Sequence, residues 1–262
     1  MKLLLTNDDG VFAPGLITLA SNLASEGHKV WVVAPDRERS SIGHAITLFK
    51  PLRLWNVESG VYPGEVKVWA CDGTPSDCVV LGVEEIIPEA DAVISGINRG
   101  PNLGDDLTYS GTVSAAMEAH FLGKPAIAVS LCCETTEMGH LYETAAKAVI
   151  AILNKFCNLG FYNSLLLNVN VPNLPIKAVK GFRVTKKGIR MYEEKVTKLK
   201  DPKGNMYYWI SGRVEDKLEE GADVEAVKEG FVSMTPIHMD LTHYPSIEKL
   251  KRAGLEEIKI QF

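Results

Sequence analysis

The sequence predicts an α/β fold, a mostly parallel sheet with flanking helices, followed by a C-terminal β-hairpin and strand appendage. Three observations carry this. From residue 1 to about 172, short apolar runs alternate with segments of helical period, the pattern of βαβ units. Polar residues and glycines gather immediately after those runs, where parallel sheets bind ligands. After Pro172-Asn173-Leu174-Pro175 the texture changes to short alternating strands. The organisation expected is a core over 1–175 and a hairpin arm with closing strand and helix over 176–262.

Each element has its own signal. The core strands are expected at Lys2 to Thr6, Lys29 to Ala34, Ala92 to Ser95, Ala126 to Leu131 and Leu165 to Val169. Pro14 opens a helix in which Leu16, Leu19, Ala20 and Leu23 recur at helical spacing, and Gly27 follows its end. A second helix is announced by Thr74 as cap and Pro75 in the first turn. A third begins near Gly111-Thr112, and a fourth runs from about Leu141 to Phe156. Beyond the core, strands are expected at Phe182 to Thr185, Ile189 to Lys198 and Tyr207 to Val214, the last two around the turn Asp201-Pro202-Lys203-Gly204-Asn205. In this arm Ile189, Met191, Val196, Leu199, Met206, Tyr208 and Ile210 are interspersed with charges, so one face at most is expected to be apolar. A lone hairpin of that kind is marginal in water, and a second subunit is the expected cover.

Composition excludes several classes. A chain of 262 residues with 46% hydrophobic residues can bury a full core. A net charge of -5 disfavours nucleic-acid and membrane electrostatics, which need concentrated Lys and Arg. The five cysteines, Cys71, Cys78, Cys132, Cys133 and Cys157, are odd in number and lack C-x-x-C pairs, so they read as reduced core thiols. The opening Met-Lys-Leu-Leu-Leu-Thr runs into Asn7-Asp8-Asp9 after three leucines, too short for a signal peptide. No apolar stretch reaches the roughly 20 residues of a membrane helix. The expectation is a cytoplasmic protein.

Three places after strands can carry chemistry. In Thr6-Asn7-Asp8-Asp9-Gly10, two adjacent acids converge only if the backbone turns, which Gly10 permits. Paired carboxylates repel unless a proton or a cation sits between them, and they suit a hard metal ion; capping of the next helix is the plainer alternative. The long polar loop Ala34 to His44 is the second place. The third is the glycine-rich loop Ser95 to Asp106, after which Ser110, Gly111 and Thr112 open a helix and offer hydroxyls and N–H groups to an oxyanion, or simply cap it.

These segments together resemble a known family, the survival protein E family of nucleoside-monophosphate phosphatases. The matching stretches are TNDDG at 6–10, APDRERSSIGHAIT at 34–47, GTPSDCV at 73–79, SGINRGPNLGDD at 95–106 and YSGTVSAAMEA at 109–119, with a weaker SMTPIH at 233–238. The resemblance implies a Rossmann-like core with one divalent metal bound by Asp8, Asp9, Ser40 and Asn98. It implies phosphate contacts around Ser110, Gly111 and Thr112, with Asn98 adjoining, and dimers or tetramers built through C-terminal elements. The implied activity is hydrolysis of nucleoside 5'- and 3'-monophosphates, with short polyphosphate as a further substrate.

Four oxygen donors, two of them anionic, favour Mg²⁺ or Mn²⁺ over zinc or copper. Asp8 and Asp9 are the catalytic candidates, with Asp9 steering or deprotonating the attacking water. An aspartyl-phosphate route ranks second. His44 is a candidate acid toward the leaving oxygen, against the plainer reading of a scaffold histidine. The alternative from another class is a Mg²⁺-binding phosphorylation-receiver module. That class places an acceptor Asp after the third core strand and a Lys after the fifth, where this chain has Asn98 and Cys132-Cys133-Glu134. Tyr109, Tyr192, Tyr207, Tyr208 and Trp209 are the aromatics able to stack on a base, although strand aromatics are packing residues first.

Overall fold

The computed structural model describes residues 1–58, 60–133, 139–159, 165–193, 196–210 and 212–260, and only the backbone over 157–159. The thiol of Cys157 and the position of Glu134 therefore lie outside the described residues, as do 194–195 and 211 within the expected hairpin strands. Among the described residues no helix is long and apolar enough to cross a membrane.

The first half alternates as its periodicity requires. Strands β1 (Lys2–Thr6), β2 (Lys29–Pro35), β3 (Leu54–Asn56), β4 (Lys67–Cys71), β5 (Ala92–Arg99), β6 (Ala126–Cys132) and β7 (Leu166–Pro172) are interleaved with four helices, α1 (Pro14–Ser25), α2 (Pro75–Leu81), α3 (Gly111–Phe121) and α4 (Tyr142–Leu159). The rest comprises β8 (Phe182–Val184), β9 (Ile189–Glu193), β10 (Val196–Lys200), β11 (Met206–Ile210), β12 (Arg213–Lys217), α5 (Asp223–Lys228), β13 (Val232–Pro236) and α6 (Tyr244–Arg252).

Nine strands form one sheet in the order β3-β4-β2-β1-β5-β6-β7-β13-β8. Pairing is parallel from β4 through β7, whereas β3 and β13 run antiparallel to their neighbours β4 and β7. Side chains alternate across the sheet, so Leu3 and Leu5 join α1 and α4 on one face while Leu4 joins α2 and α3 on the other. Strand β1 has β2 on one side and β5 on the other, and the chain winds away in both directions. Such a reversal opens a crevice at the carboxyl ends of β1 and β5.

Helix starts follow their caps. Thr74 accepts from the Asp77 N–H, and the Asp77 carboxylate accepts from the Thr74 N–H at 2.8 Å, a reciprocal capping box that also receives Thr47. Ser110 caps α3 by accepting from the Val113 N–H at 3.1 Å.

The expectation for the arm needs two corrections. The long strands expected over Ile189 to Lys198 and Tyr207 to Val214 are two separate ladders, β10 with β11 and β9 with β12. In the β10–β11 ribbon Thr197, Leu199, Tyr207 and Trp209 share one face, while Lys198 and Lys200 sit with Val196, Met206, Tyr208 and Ile210 on the other, the apolar residues all exposed. Residues after 175 also supply β8 and β13 to the main sheet, besides forming the arm. Strand β13 gave little apolar signal because only Val232 and Met234 join the core on one face, while Ser233 and Thr235, buried on the other, are hydrogen-bonded at 2.8 Å to the Thr185 hydroxyl.

Candidate active site

The turn after β1 is shaped by a side chain that stands in for backbone. Asn7 is fully buried, its carbonyl accepts from the Gly10 N–H at 3.1 Å and its amide donates to the Gly10 carbonyl at 3.0 Å. Gly10 has φ +104°, and a Cβ there would meet the Arg37 backbone at 3.1 Å. This closed turn lets neighbouring acids reach one cavity of about 810 Å³, whose wall includes Asp8, Asp9, Ser40, Asn98 and Ser110.

Both acids are held under electrostatic tension. Burial pushes Asp8 up to about 6, helped by the adjacent Asp9 and opposed chiefly by the Thr112 hydroxyl, which donates to Asp8 Oδ1. Burial likewise raises Asp9, against the Arg99 N–H, which donates to its Oδ2 at 3.1 Å. Two carboxylates destabilised as anions in one crevice are relieved by a cation between them. The remaining donors fit a hard ion: the Ser40 hydroxyl, itself bonded to Glu38 at 2.7 Å, and the Asn98 side chain, whose nitrogen donates to the Gly100 carbonyl at 3.0 Å and whose oxygen is the acceptor. Among the described residues no group of three or more His, Cys, Asp or Glu converges, so no site of the zinc type competes.

The start of α3 is placed differently from its expected use. Ser110 reaches the cavity, but Gly111 and Thr112 are buried behind Asp8. A Cβ on Gly111 would stand 2.8 Å from Asp8 Cβ, so only glycine lets the helix start approach this closely. Thr112 is fully buried and its hydroxyl is committed to Asp8. We therefore expect Thr112→Val to slow turnover about tenfold or more by loosening Asp8, with inhibition by inorganic phosphate little changed. Weakened phosphate inhibition at unaltered turnover would return Thr112 to the anion.

His44 follows its plainer reading. It is hydrogen-bonded to Glu118 at 2.7 Å and stacked on Phe121 with ring centroids 5.7 Å apart, and it does not line the cavity.

The wall also includes Glu38, Arg99, Asn102 and Asp106, which lie inside the matching stretches but were given no role of their own, and Tyr192 and Ile210 from the arm. A polar network inside the sheet holds their loop. Asn102 donates its N–H to Asn170 at 2.9 Å and its amide to Ser130 at 2.8 Å, while the Asn168 and Asn170 amides both donate to its carbonyl. The signal that could have found this network is two asparagines in the otherwise apolar strand Leu166–Pro172.

Fold and site together define a wound α/β protein with an acidic, oxygen-lined crevice where its strand order reverses. The family model described as survival protein SurE matches residues 3–194. The chain is 49% identical over 258 residues to the 5'-nucleotidase SurE of Geotalea uraniireducens, covering 97% of this chain and all of that one. It is 47% identical to the 5'-nucleotidase SurE of Geobacter metallireducens, over 99% of this chain and all of the relative. The crystal structure of the SurE protein from Aquifex aeolicus superimposes with a TM-score of 0.82 at 42% identity, covering 97% of this chain and all of that chain. This chain belongs to the SurE family.

Proposed function

We propose that the chain is a nucleotidase, a metal-dependent phosphomonoesterase that releases phosphate from nucleoside 5'-monophosphates and also accepts 3'-monophosphates and short polyphosphate. The observation that carries this reading is the pair of buried Asp8 and half-buried Asp9, both raised by desolvation and sharing a cavity with neutral oxygen donors, in a chain close to relatives named 5'-nucleotidase.

Asp8, Asp9, Ser40 and the Asn98 oxygen are the groups that would hold one Mg²⁺ or Mn²⁺. When bound, that ion supplies Lewis acidity toward phosphoryl oxygens and lowers the pKa of coordinated water. The protein supplies the rest. Thr112 fixes Asp8 from behind. The Arg99 N–H fixes one oxygen of Asp9, leaving the other to orient the attacking water or take its proton. Ser110, which accepts from Val113, keeps its own proton for a phosphate oxygen, Asn98 shares the cavity wall with it, and the Gly111 N–H that opens α3 is proposed as a further donor. A panel of phosphate esters assayed with and without chelator tests the reading. Release from nucleoside monophosphates, abolished by chelation and restored by Mg²⁺ or Mn²⁺, supports it, and full activity in excess chelator sinks it.

The arm is proposed as the element through which copies associate as a dimer or tetramer. Its support is the β10–β11 ribbon, with exposed Leu199, Tyr207, Trp209 and Ile210 and too few strands to bury either face. Replacing 197–209 by a short glycine linker should lower the sedimentation coefficient by at least one assembly step. A variant that keeps the parent's subunit number removes the arm from assembly. A cytoplasmic location fits the reduced thiols of Cys71, Cys78 and Cys133.

A further inference from the structure

The candidate metal ligands make up only part of the cavity wall. The wall elsewhere includes Tyr109, Tyr192, Ile210 and Gly212, three of them from the arm. At about 810 Å³ the space far exceeds a phosphate and falls in the range of pockets that take whole small ligands, roughly 300–1,000 Å³.

Tyr192 is held in place here. Its hydroxyl donates to Asp106 Oδ1 at 2.5 Å, and Asp106 Oδ2 accepts from Arg190 Nη1 at 3.0 Å. Arg190 is clamped from its other side by Asp216, at 2.8 and 3.3 Å, with its side chain only 5% exposed. Burial, with Asp106 beside it, pushes the Tyr192 hydroxyl up to about 12, so it stays a donor at neutral pH. The polar tip is thus committed to protein, and the ring is what remains for a ligand. Tyr207, Tyr208 and Trp209 are more exposed and do not line the cavity.

We infer that the arm end of the cavity is the nucleoside subsite, with the Tyr192 ring as the platform on which the base stacks. This rests on the nucleotidase reading and adds a specificity-determining residue to it. A ring face accepts any base, because every base has a π-face, whereas discrimination among bases needs donors and acceptors at their edges. The subsite therefore favours esters that carry a base over those that do not, and larger purines over pyrimidines.

The test compares adenosine 5'-monophosphate with ribose 5-phosphate, the same ester without its base, in the full-length protein with Mg²⁺ or Mn²⁺. In Tyr192→Ala the ratio of kcat/KM values for the two should fall about tenfold, whereas Tyr192→Phe, which keeps the ring, should retain most of it. A ratio that stays at the parental value in Tyr192→Ala overturns the assignment, whether both rates fall or neither does. Adenosine binding, measured by calorimetry, reads the same subsite without hydrolysis. Weaker binding by Tyr192→Ala supports the platform even if neither ester is cleaved, a result that would count against the nucleotidase reading alone. Equal binding by parent and variant counts against the platform.

Discussion

Asp8→Asn should leave about one hundredth or less of the parental phosphate release from nucleoside monophosphates, and Asp9→Asn should do the same. Asparagine keeps the shape and can still accept from Thr112 at position 8, so what disappears is charge. One carboxylate then faces a dication that two were placed to hold, and the ion's affinity falls with the rate. A second readout separates this from damage to the fold. Mg²⁺ or Mn²⁺ should raise the parent's thermal midpoint, because a ligand that binds only the folded state stabilises it, and the variants should lose most of that rise. In chelator, Asp8→Asn should melt no lower than the parent, since burial already penalises the Asp8 anion. An Asp8→Asn protein that turns over normally would remove Asp8 from the reaction.

Gly111→Ala should lose activity about a hundredfold while keeping its helices. Alanine is the better helix former, and Gly111 has no positive φ to protect, so local propensity predicts a benign change. Space predicts the opposite. The new Cβ would lie 2.8 Å from Asp8 Cβ and 2.9 Å from Asp8 Oδ2, contacts that force the acid or the helix start to move. Displacements of about 1 Å at a reacting centre can cost about two orders of magnitude in rate. Circular dichroism should match the parent's while phosphate release collapses. Parental activity would show that the Asp8 position tolerates movement.

The sequence made the core legible where strands are buried continuously on both faces and helices on one. Strands β1, β2, β5, β6 and β7 each bury an apolar run, and α1 buries Leu16, Leu19, Ala20 and Leu23, the residues its spacing singled out. Strand β4 was not legible, because Lys67, Val68 and Trp69 alternate near the edge of the sheet, and β13 was hidden by inward hydroxyls. At the site, strand-end position picked out the Asp8 and Asp9 pair and the start of α3, while Ser40 and Asn98 came only from the family resemblance; Asp8, Asp9, Ser40, Asn98 and Ser110 line one cavity. The direction each one faces was not readable. Thr112 and Ser110 are two positions apart on a helix start, and only the packing against Asp8 turns one inward and leaves the other at the cavity. The arm's place on the cavity wall depends on contacts between residues more than 80 positions apart, such as Asp106 with Arg190 and Tyr192, which no local pattern carries.

The asparagine network sets an order of events during synthesis. The acids at positions 8 and 9 leave the ribosome first, yet the loop opposite them is tied down by Asn168 and Asn170, and its Gly104 N–H bonds to Asp223 at 3.0 Å. A nascent chain of 150 residues already holds both acids, both hydroxyl donors, Asn98 and Ser130, and still lacks Asn168, Asn170 and Asp223, the other groups that fix the loop carrying Asn98. The loop is therefore fully tied only when the seventh strand and Asp223, at the start of α5, are in place. Fragments released early by stalled translation carry the motif residues without a finished pocket.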